Sequence, residues 1–266
     1  MHLSSLLINV GDDPDRPRPG RRWVRNLYRV HQRLCMAFPS VTKKSEDANF
    51  LRPFDPGDFN EPSWPHKPVH VSRGLDSGFL FRIDPRAGGR VVLLVQSAVK
   101  PDWDYAFRNA EYLLAAPPMS KPYDPSFMPH EVHRFRLLAN PTRKIDTKTK
   151  PDGKKNNGRR VPVPTDQLSV WLTGRSASAG FRVARLDNIQ VGYQYFSKDP
   201  PKDAESHPSE KGRLRSVRYD GTLEVVDPLV FREAVMRGIG PGKAFGFGLL
   251  SVVPIVKYAD ESEGGS

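Results

Sequence analysis

Apolar positions change period in a repeating order along this chain. Leu3 to Val10 is a short run rich in Leu and Ile, which predicts a strand. Gly11 to Arg22, dense in Pro, Gly, Asp and Arg, reads as a loop. Leu27, Val30, Leu34 and Phe38 then recur at helical spacing, with Asn26 as N-cap and Pro39 as the stop. Phe79 to Ile83 and Val91 to Ser97 read as two strands joined through Asp-Pro-Arg-Ala-Gly-Gly, a hairpin. Asp102 to Leu114 predicts a second helix, with Trp103, Ala106, Phe107, Ala110 and Leu114 on its apolar face. The proline-rich segments Val41 to Ser77 and Ala116 to Pro129 read as an irregular insertion and a linker.

The second half repeats the order. Val132 to Leu138 alternates apolar residues with His133, Arg134 and Arg136, as a half-exposed strand does. Thr165 to Ser176 reads as a helix with Leu168, Trp171 and Leu172 inward, and Phe181 to Tyr195 as a strand. Leu214 to Val226, broken at Asp220-Gly221, predicts a further pairing. Pro228 to Arg237 predicts a helix with Pro at its start, and a last strand follows. Strand, helix, hairpin, helix, strand is the ferredoxin-like order. The chain therefore predicts an α+β fold of two tandem ferredoxin-like (RRM-like, βαββαβ) domains. Residues 1–118 form the first, residues 131–256 the second, and residues 257–266 an acidic, Gly/Ser-rich disordered tail.

Charge narrows the function. The 266 residues carry a net charge of +11 and a pI of about 9.8, which calls for an acidic partner. Nucleic acid comes first and a membrane surface second. No apolar run approaches the roughly 18 residues a spanning helix needs, so no membrane partner is expected. The first residues lack the basic start and small-residue cleavage site of a signal peptide. A single cysteine, Cys35, excludes an internal disulfide and a cysteine-cluster metal site. A cytoplasmic protein without a cofactor is expected.

Between the first strand and helix of the second half, Arg143 to Arg160 holds eight basic residues against two acidic ones. Arg143, Lys144, Lys154, Lys155, Arg159 and Arg160 are its candidate phosphate contacts, the arginines being suited to bidentate ones. Gly153, Asn156, Asn157 and Gly158 make it a loop. Such a run also serves simply as a solvated loop. Ser197 to Gly212 is a second polar insertion of mixed charge.

Gly238 to Gly248 holds five glycines and one proline in eleven residues, with Lys243 in the middle. Backbone N–H groups in such a turn make an anion-binding concavity, to which Gly240, Gly242 and Lys243 would contribute. A Walker loop is excluded, because Arg237 and Ala244 stand where it needs glycine and Ser or Thr. The dinucleotide fingerprint fails because Lys243 or Phe245 stands where its third glycine belongs. A tight helix-to-strand connection remains the structural alternative.

On the first helix, Tyr28 and His31 are three apart and share a face. His31 borders the apolar stripe, so it is either a packed, half-buried histidine or a group that can work on a substrate beside Tyr28. No histidine pair has the helical spacing of a zinc site. His130 and His133 read as surface residues.

Three stretches together resemble a known family. Asn-Leu-Tyr-Arg-Val-His-Gln-Arg-Leu, residues 26–34, is similar to its Leu-Tyr-x-x-His helix. Phe-Arg-Leu-Leu-Ala-Asn-Pro-Thr-Arg-Lys, residues 135–144, is similar to its Arg-x-Asn-Pro-x-Lys segment. Gly238 to Pro254 is similar to its Gly-x-Gly-Pro-x-Lys-x-x-Gly-x-Gly-Leu-Leu-Ser stretch. The family is the CasE family of CRISPR RNA-processing endoribonucleases, subunits of the Cascade surveillance complex.

The resemblance covers nearly the whole chain and implies tandem ferredoxin-like domains. It implies metal-independent cleavage of precursor CRISPR RNA at the base of the repeat stem-loop. The RNA's own 2′-hydroxyl would attack, leaving a 2′,3′-cyclic phosphate and a 5′-hydroxyl. Its partners would be the repeat hairpin and the other Cascade subunits. The family's catalytic histidine and tyrosine match His31 and Tyr28. Some members carry a lysine five positions after that histidine, where this chain has Met36. A non-catalytic RNA-binding module is the alternative, and a purely structural assembly subunit, a third reading, would have no need of His31.

Overall fold

A computed structural model describes residues 1–11, 18–38, 78–145, 159–198 and 210–255. The expectations for Val41 to Ser77, for Lys154 and Lys155, and for the C-terminal tail lie outside these residues.

The first half builds a four-stranded antiparallel sheet from β1 (His2–Ile8), β2 (Phe79–Pro85), β3 (Val91–Ser97) and β4 (Met119–Pro122). Its order is β2-β3-β1-β4. The central strand β1 pairs Leu6 with Leu93 on one side and Ser4 with Ser120 on the other. β4 lies inside the stretch expected to be linker. All four of its residues are exposed, so it has no apolar signature, and it is anchored instead by polar contacts. Ser120 Oγ receives the Trp103 indole N–H at 2.9 Å and shares a hydrogen bond with the buried Ser4 at 2.7 Å.

Among the described residues three helices accompany this sheet: α1 (Pro19–Val24), α2 (Leu27–Met36) and α3 (Trp103–Phe107). The loop expected over Gly11 to Arg22 thus contains a helix. Six residues are too few for a visible period, but Pro19 opens it and Trp23 is its one large buried side chain. The helix expected over Asp102 to Leu114 is broken. α3 stops at Phe107, and a 3₁₀ turn at Glu111–Leu113 carries the chain on. Asn109, a weak helix former, sits at the break.

The second half repeats the plan with β5 (Val132–Ala139), β8 (Phe181–Lys198), β9 (Glu210–Val225) and β10 (Leu250–Pro254), in the order β10-β5-β9-β8. Helices α4 (Leu168–Ala177) and α5 (Pro228–Arg237) pack on it. Each sheet has its second and third strands in sequence side by side and its fourth beside its first, which is the ferredoxin-like arrangement. β9 runs unbroken through Asp220-Gly221, where a turn was expected. The irregularities fall on β8, at Val183/Arg185 and Leu186/Asn188. A Cβ on Gly221 would lie 2.2 Å from the Arg185 carbonyl oxygen, so the glycine makes room for the bulged partner strand.

The expected loop over Arg143 to Arg160 begins and ends as a ladder. β6 (Thr142–Ile145) pairs with β7 (Arg159–Pro162) in a separate two-stranded ribbon. His133, expected on the surface, is buried. It belongs to the inward set His133, Phe135, Leu137 and Ala139 of β5, edge-on to Phe127.

The halves are joined through polar side chains of the first sheet. Arg82 grips the Asp84 carboxylate through Nε and Nη2 at 2.8 Å each. Its Nη1 donates to the Leu249 carbonyl at 3.2 Å and that of Arg136 at 3.4 Å. Gln96 donates to the Val235 carbonyl at 2.8 Å. A buried arginine needs such complete pairing, and here the pairing fixes β2 against the chain that leads into β10.

Candidate functional site

α2 carries the first group of the site. Leu27, Val30 and Leu34 are buried along one stripe, which fixes the helix's rotation on its sheet. Asn26 starts it, its Oδ1 accepting from the Tyr28 N–H at 3.2 Å. Tyr28 and His31 lie beside the stripe and are both half-buried.

Two phenylalanines from β2 hold the His31 ring. Its centroid is 5.6 Å from that of Phe79, with planes 26° apart, and 6.5 Å from that of Phe81, with planes 17° apart. Its Nε2 faces the Cys35 Sγ at 3.5 Å, one turn along the helix. The ring therefore has an apolar wall and a polar edge. The ring is thus packed and half-buried, and it keeps partial access to solvent.

The glycine stretch comes to the same place from the other half. The turn Lys243–Phe245 lies against both α2 and β2. Gly246 sits over Phe81, where an added Cβ would stand 3.1 Å from the ring. His31 and the glycine turn thus share one aromatic ring as neighbour. Gly240 and Gly242 have φ of 83° each, so the turn has the left-handed backbone its glycines predicted. It is also the helix-to-strand connection between α5 and β10, the structural alternative for this stretch. Lys243 is partly buried. That burial, with the Arg237 guanidinium nearby, holds its ammonium below the usual lysine range.

A third element closes the site. The strand β8 crosses α2, and Ser197 is held by the Asn26 amide at both ends. Asn26 Nδ2 donates to the Ser197 carbonyl at 3.0 Å, and its Oδ1 accepts from the Ser197 N–H at 3.1 Å. One residue earlier on β8, Phe196 packs on Phe245 of the glycine turn at 5.0 Å between centroids. Asn26 was legible only as a helix cap. Its second role needed a partner 171 residues away.

The basic ribbon begins two residues beyond Asn140, which lies beside Gly242 of the glycine turn. Arg143, Lys144 and Arg160 are exposed, and Arg159 pairs across from Ile145. Arg160 donates to Thr142 Oγ1 at 3.4 Å. The chain just after the ribbon is tied to β9, because Arg215 donates to the Val163 carbonyl and, at 2.7 Å, to Thr165 Oγ1. Among the described residues no group of three or more His, Cys, Asp or Glu side chains is placed to hold a metal ion. No described helix is long and apolar enough to cross a membrane.

A tandem ferredoxin-like chain with a half-buried histidine beside a glycine turn and a basic ribbon defines a class with sequence relatives. The model of the CRISPR associated protein family matches residues 1–254, and the chain belongs to that family. It is 34% identical over 262 residues to the CRISPR-associated endoribonuclease Cse3 of Thermus thermophilus, covering 96% of this chain and 100% of the relative. It is 28% identical to the CRISPR system Cascade subunit CasE of Escherichia coli, with the same coverage of both chains. The solved structure of the CRISPR endoribonuclease Cse3 bound to a 19-nucleotide RNA superposes with a TM-score of 0.62 at 29% identity, over 96% of this chain and 100% of that one.

Proposed function

We propose that this chain is a CRISPR endoribonuclease that cleaves precursor CRISPR RNA at the base of the repeat stem-loop and stays bound to the product within a Cascade complex. The observation that carries this reading is the meeting of His31 on α2 with the glycine turn of the other half, over the shared ring of Phe81. The full-length similarity to an endoribonuclease and to a Cascade subunit supports it.

The proposed reaction is a transesterification without a metal. The 2′-oxygen of the RNA attacks the adjacent phosphorus. The bond from phosphorus to the 5′-oxygen breaks, leaving a 2′,3′-cyclic phosphate and a 5′-hydroxyl. One proton leaves the 2′-oxygen and one arrives at the 5′-oxygen. An imidazole titrates near neutrality and can serve either transfer, a step typically worth about 10²–10⁴-fold. We assign that transfer to His31. The Tyr28 hydroxyl, one turn earlier on α2, orients the scissile phosphate. Lys243 and the amides at Gly240 and Gly242 bind phosphate beside the cut, the ammonium offsetting charge that builds on the phosphoryl oxygens.

Arg143, Lys144, Arg159 and Arg160 on the ribbon, with Lys154 and Lys155 between its strands, hold the hairpin through its phosphates and A-form shape. The two arginines at the start of β7 are the candidates for bidentate contacts.

The test is a repeat hairpin with a single 2′-deoxy nucleotide on the 5′ side of the cut. It should bind as tightly as the all-RNA hairpin and remain whole. Cleavage of the deoxy hairpin at an undiminished rate would exclude attack by the 2′-hydroxyl.

A further inference from the structure

The β8–β9 hairpin runs from the core of the second half to α2 of the first, and its two faces differ. One face is occupied. Phe196 packs on Phe245, and Ser216 is buried. The other face starts in the core and runs out into solvent. At its root Ile189 pairs with the buried Tyr219, and Val191 with the buried Val217. Beyond them Tyr193 pairs with Arg215, Tyr195 with Arg213, and Ser197 with Lys211. Tyr193 is 50% and Tyr195 58% exposed, large fractions for aromatic rings on a strand.

Charge on this outer face has one sign. From Ile189 to Ser197 and from Lys211 to Tyr219, the positions on this side include Arg213, Arg215 and Lys211 and no carboxylate. The Arg213 guanidinium lies over the Tyr193 ring at 4.9 Å from its centroid. Arg215 ties the same face to Val163 and Thr165, directly after the basic ribbon. The aromatic stripe and the ribbon are therefore neighbours. A lipid-facing or helix-docking surface needs an apolar patch without interleaved cations. Alternating tyrosines and arginines instead match unpaired nucleic acid, whose bases stack on rings while its phosphates meet the cations.

We propose that the outer face of this hairpin binds a single-stranded RNA segment flanking the repeat hairpin, stacking its bases on Tyr193 and Tyr195. The proposal rests on the RNA-binding function above and adds to it a second surface, for unpaired RNA. Arg213 and Lys211 would hold its phosphates. Because the tyrosines take no part in the proposed chemistry, their loss should leave cleavage of a minimal hairpin unchanged.

The experiment measures binding of the full chain to three hairpins made resistant to cleavage by the 2′-deoxy substitution. One is blunt, one carries a 5′ single-stranded flank and one a 3′ flank. Proteins are the unmodified chain, Tyr193→Ala/Tyr195→Ala, and Tyr193→Phe/Tyr195→Phe, all checked for equal thermal unfolding. One flank should tighten binding by about tenfold or more, as base–aromatic stacking typically does. The alanine pair should lose that gain and the phenylalanine pair keep it, while all three bind the blunt hairpin alike. A gain that survives the alanine pair, or no gain from either flank, overturns the proposal. An alanine pair that keeps the gain but fails to assemble with Cascade subunits assigns the face to a protein partner and overturns it as well. Failure of the unmodified chain to bind even the blunt hairpin would be a failure of the RNA-binding reading itself.

Discussion

Asn26 holds Ser197 by both ends of its amide, at 3.0 Å to the carbonyl and 3.1 Å from the N–H, while the same Oδ1 caps the helix that carries His31. A helix start and a distant strand are thus set by one side chain. Asn26→Ala should cost about 1 kcal/mol for the cap and about as much again for the clamp. Asn26→Asp keeps the oxygen and loses the donor to Ser197, so it should fall between the two in thermal unfolding. Equal stability of the alanine variant and the unmodified chain would show that the clamp contributes nothing.

The Cys35 thiol makes a different prediction. It faces the His31 Nε2 at 3.5 Å, so it biases which ring nitrogen carries the proton. Cys35→Ala should leave hairpin binding intact, slow cleavage about fivefold, the worth of one neutral hydrogen bond, and move the pH–rate profile. A profile that superposes on that of the unmodified chain would make the contact one of packing alone.

Lys243 sets affinity against stability. Its ammonium is held below the usual lysine range by burial and by Arg237, so the folded state resists its charge. That cost is complete below the lowered folded value and fades as pH rises towards the unfolded value of 10.5. Lys243→Met should therefore be at least as stable as the unmodified chain at pH 7, an advantage that disappears by about pH 10.5. It should at the same time bind the hairpin more weakly. Denaturant unfolding at both pH values, beside a binding titration at pH 7, checks both halves. A variant less stable at pH 7 would contradict the assigned cost.

Two glycines should respond in opposite ways to alanine. Gly238 has φ of 74°, and an added Cβ would lie 2.8 Å from both the Gly248 carbonyl oxygen and a Leu80 methyl. Gly238→Ala should destabilise by about 1–3 kcal/mol and loosen the glycine turn. Gly174, within α4 and with open space around it, should gain about 0.5–1 kcal/mol from the same change. Urea unfolding of the two variants gives the comparison directly.

Periodicity carried most of the fold. The stripe on α2 and the alternation of β5 were legible because each buries one regular set of positions, and β2 and β3 were legible as short apolar runs bounded by turn residues. What escaped was held by something other than a buried stripe. β4 is a strand through Ser120 and the ladder with β1, and α1 through one tryptophan. Gly221 reads as a turn until the bulges of β8 across from it are known. In the site, the sequence marked His31, Tyr28 and the glycine turn by residue type and spacing. It was silent on Phe79, Phe81 and Ser197, which reach His31 and Asn26 only through tertiary packing.

Cleavage of the CRISPR repeat hairpin in excess EDTA, by the unmodified chain and by His31→Ala, with the product ends analysed, tests the central claim most directly. The account predicts a cut at the base of the stem with a 2′,3′-cyclic phosphate, slowed by about 10²–10⁴-fold in the variant while binding is unchanged. Cleavage abolished by EDTA, or undiminished in His31→Ala, would contradict it.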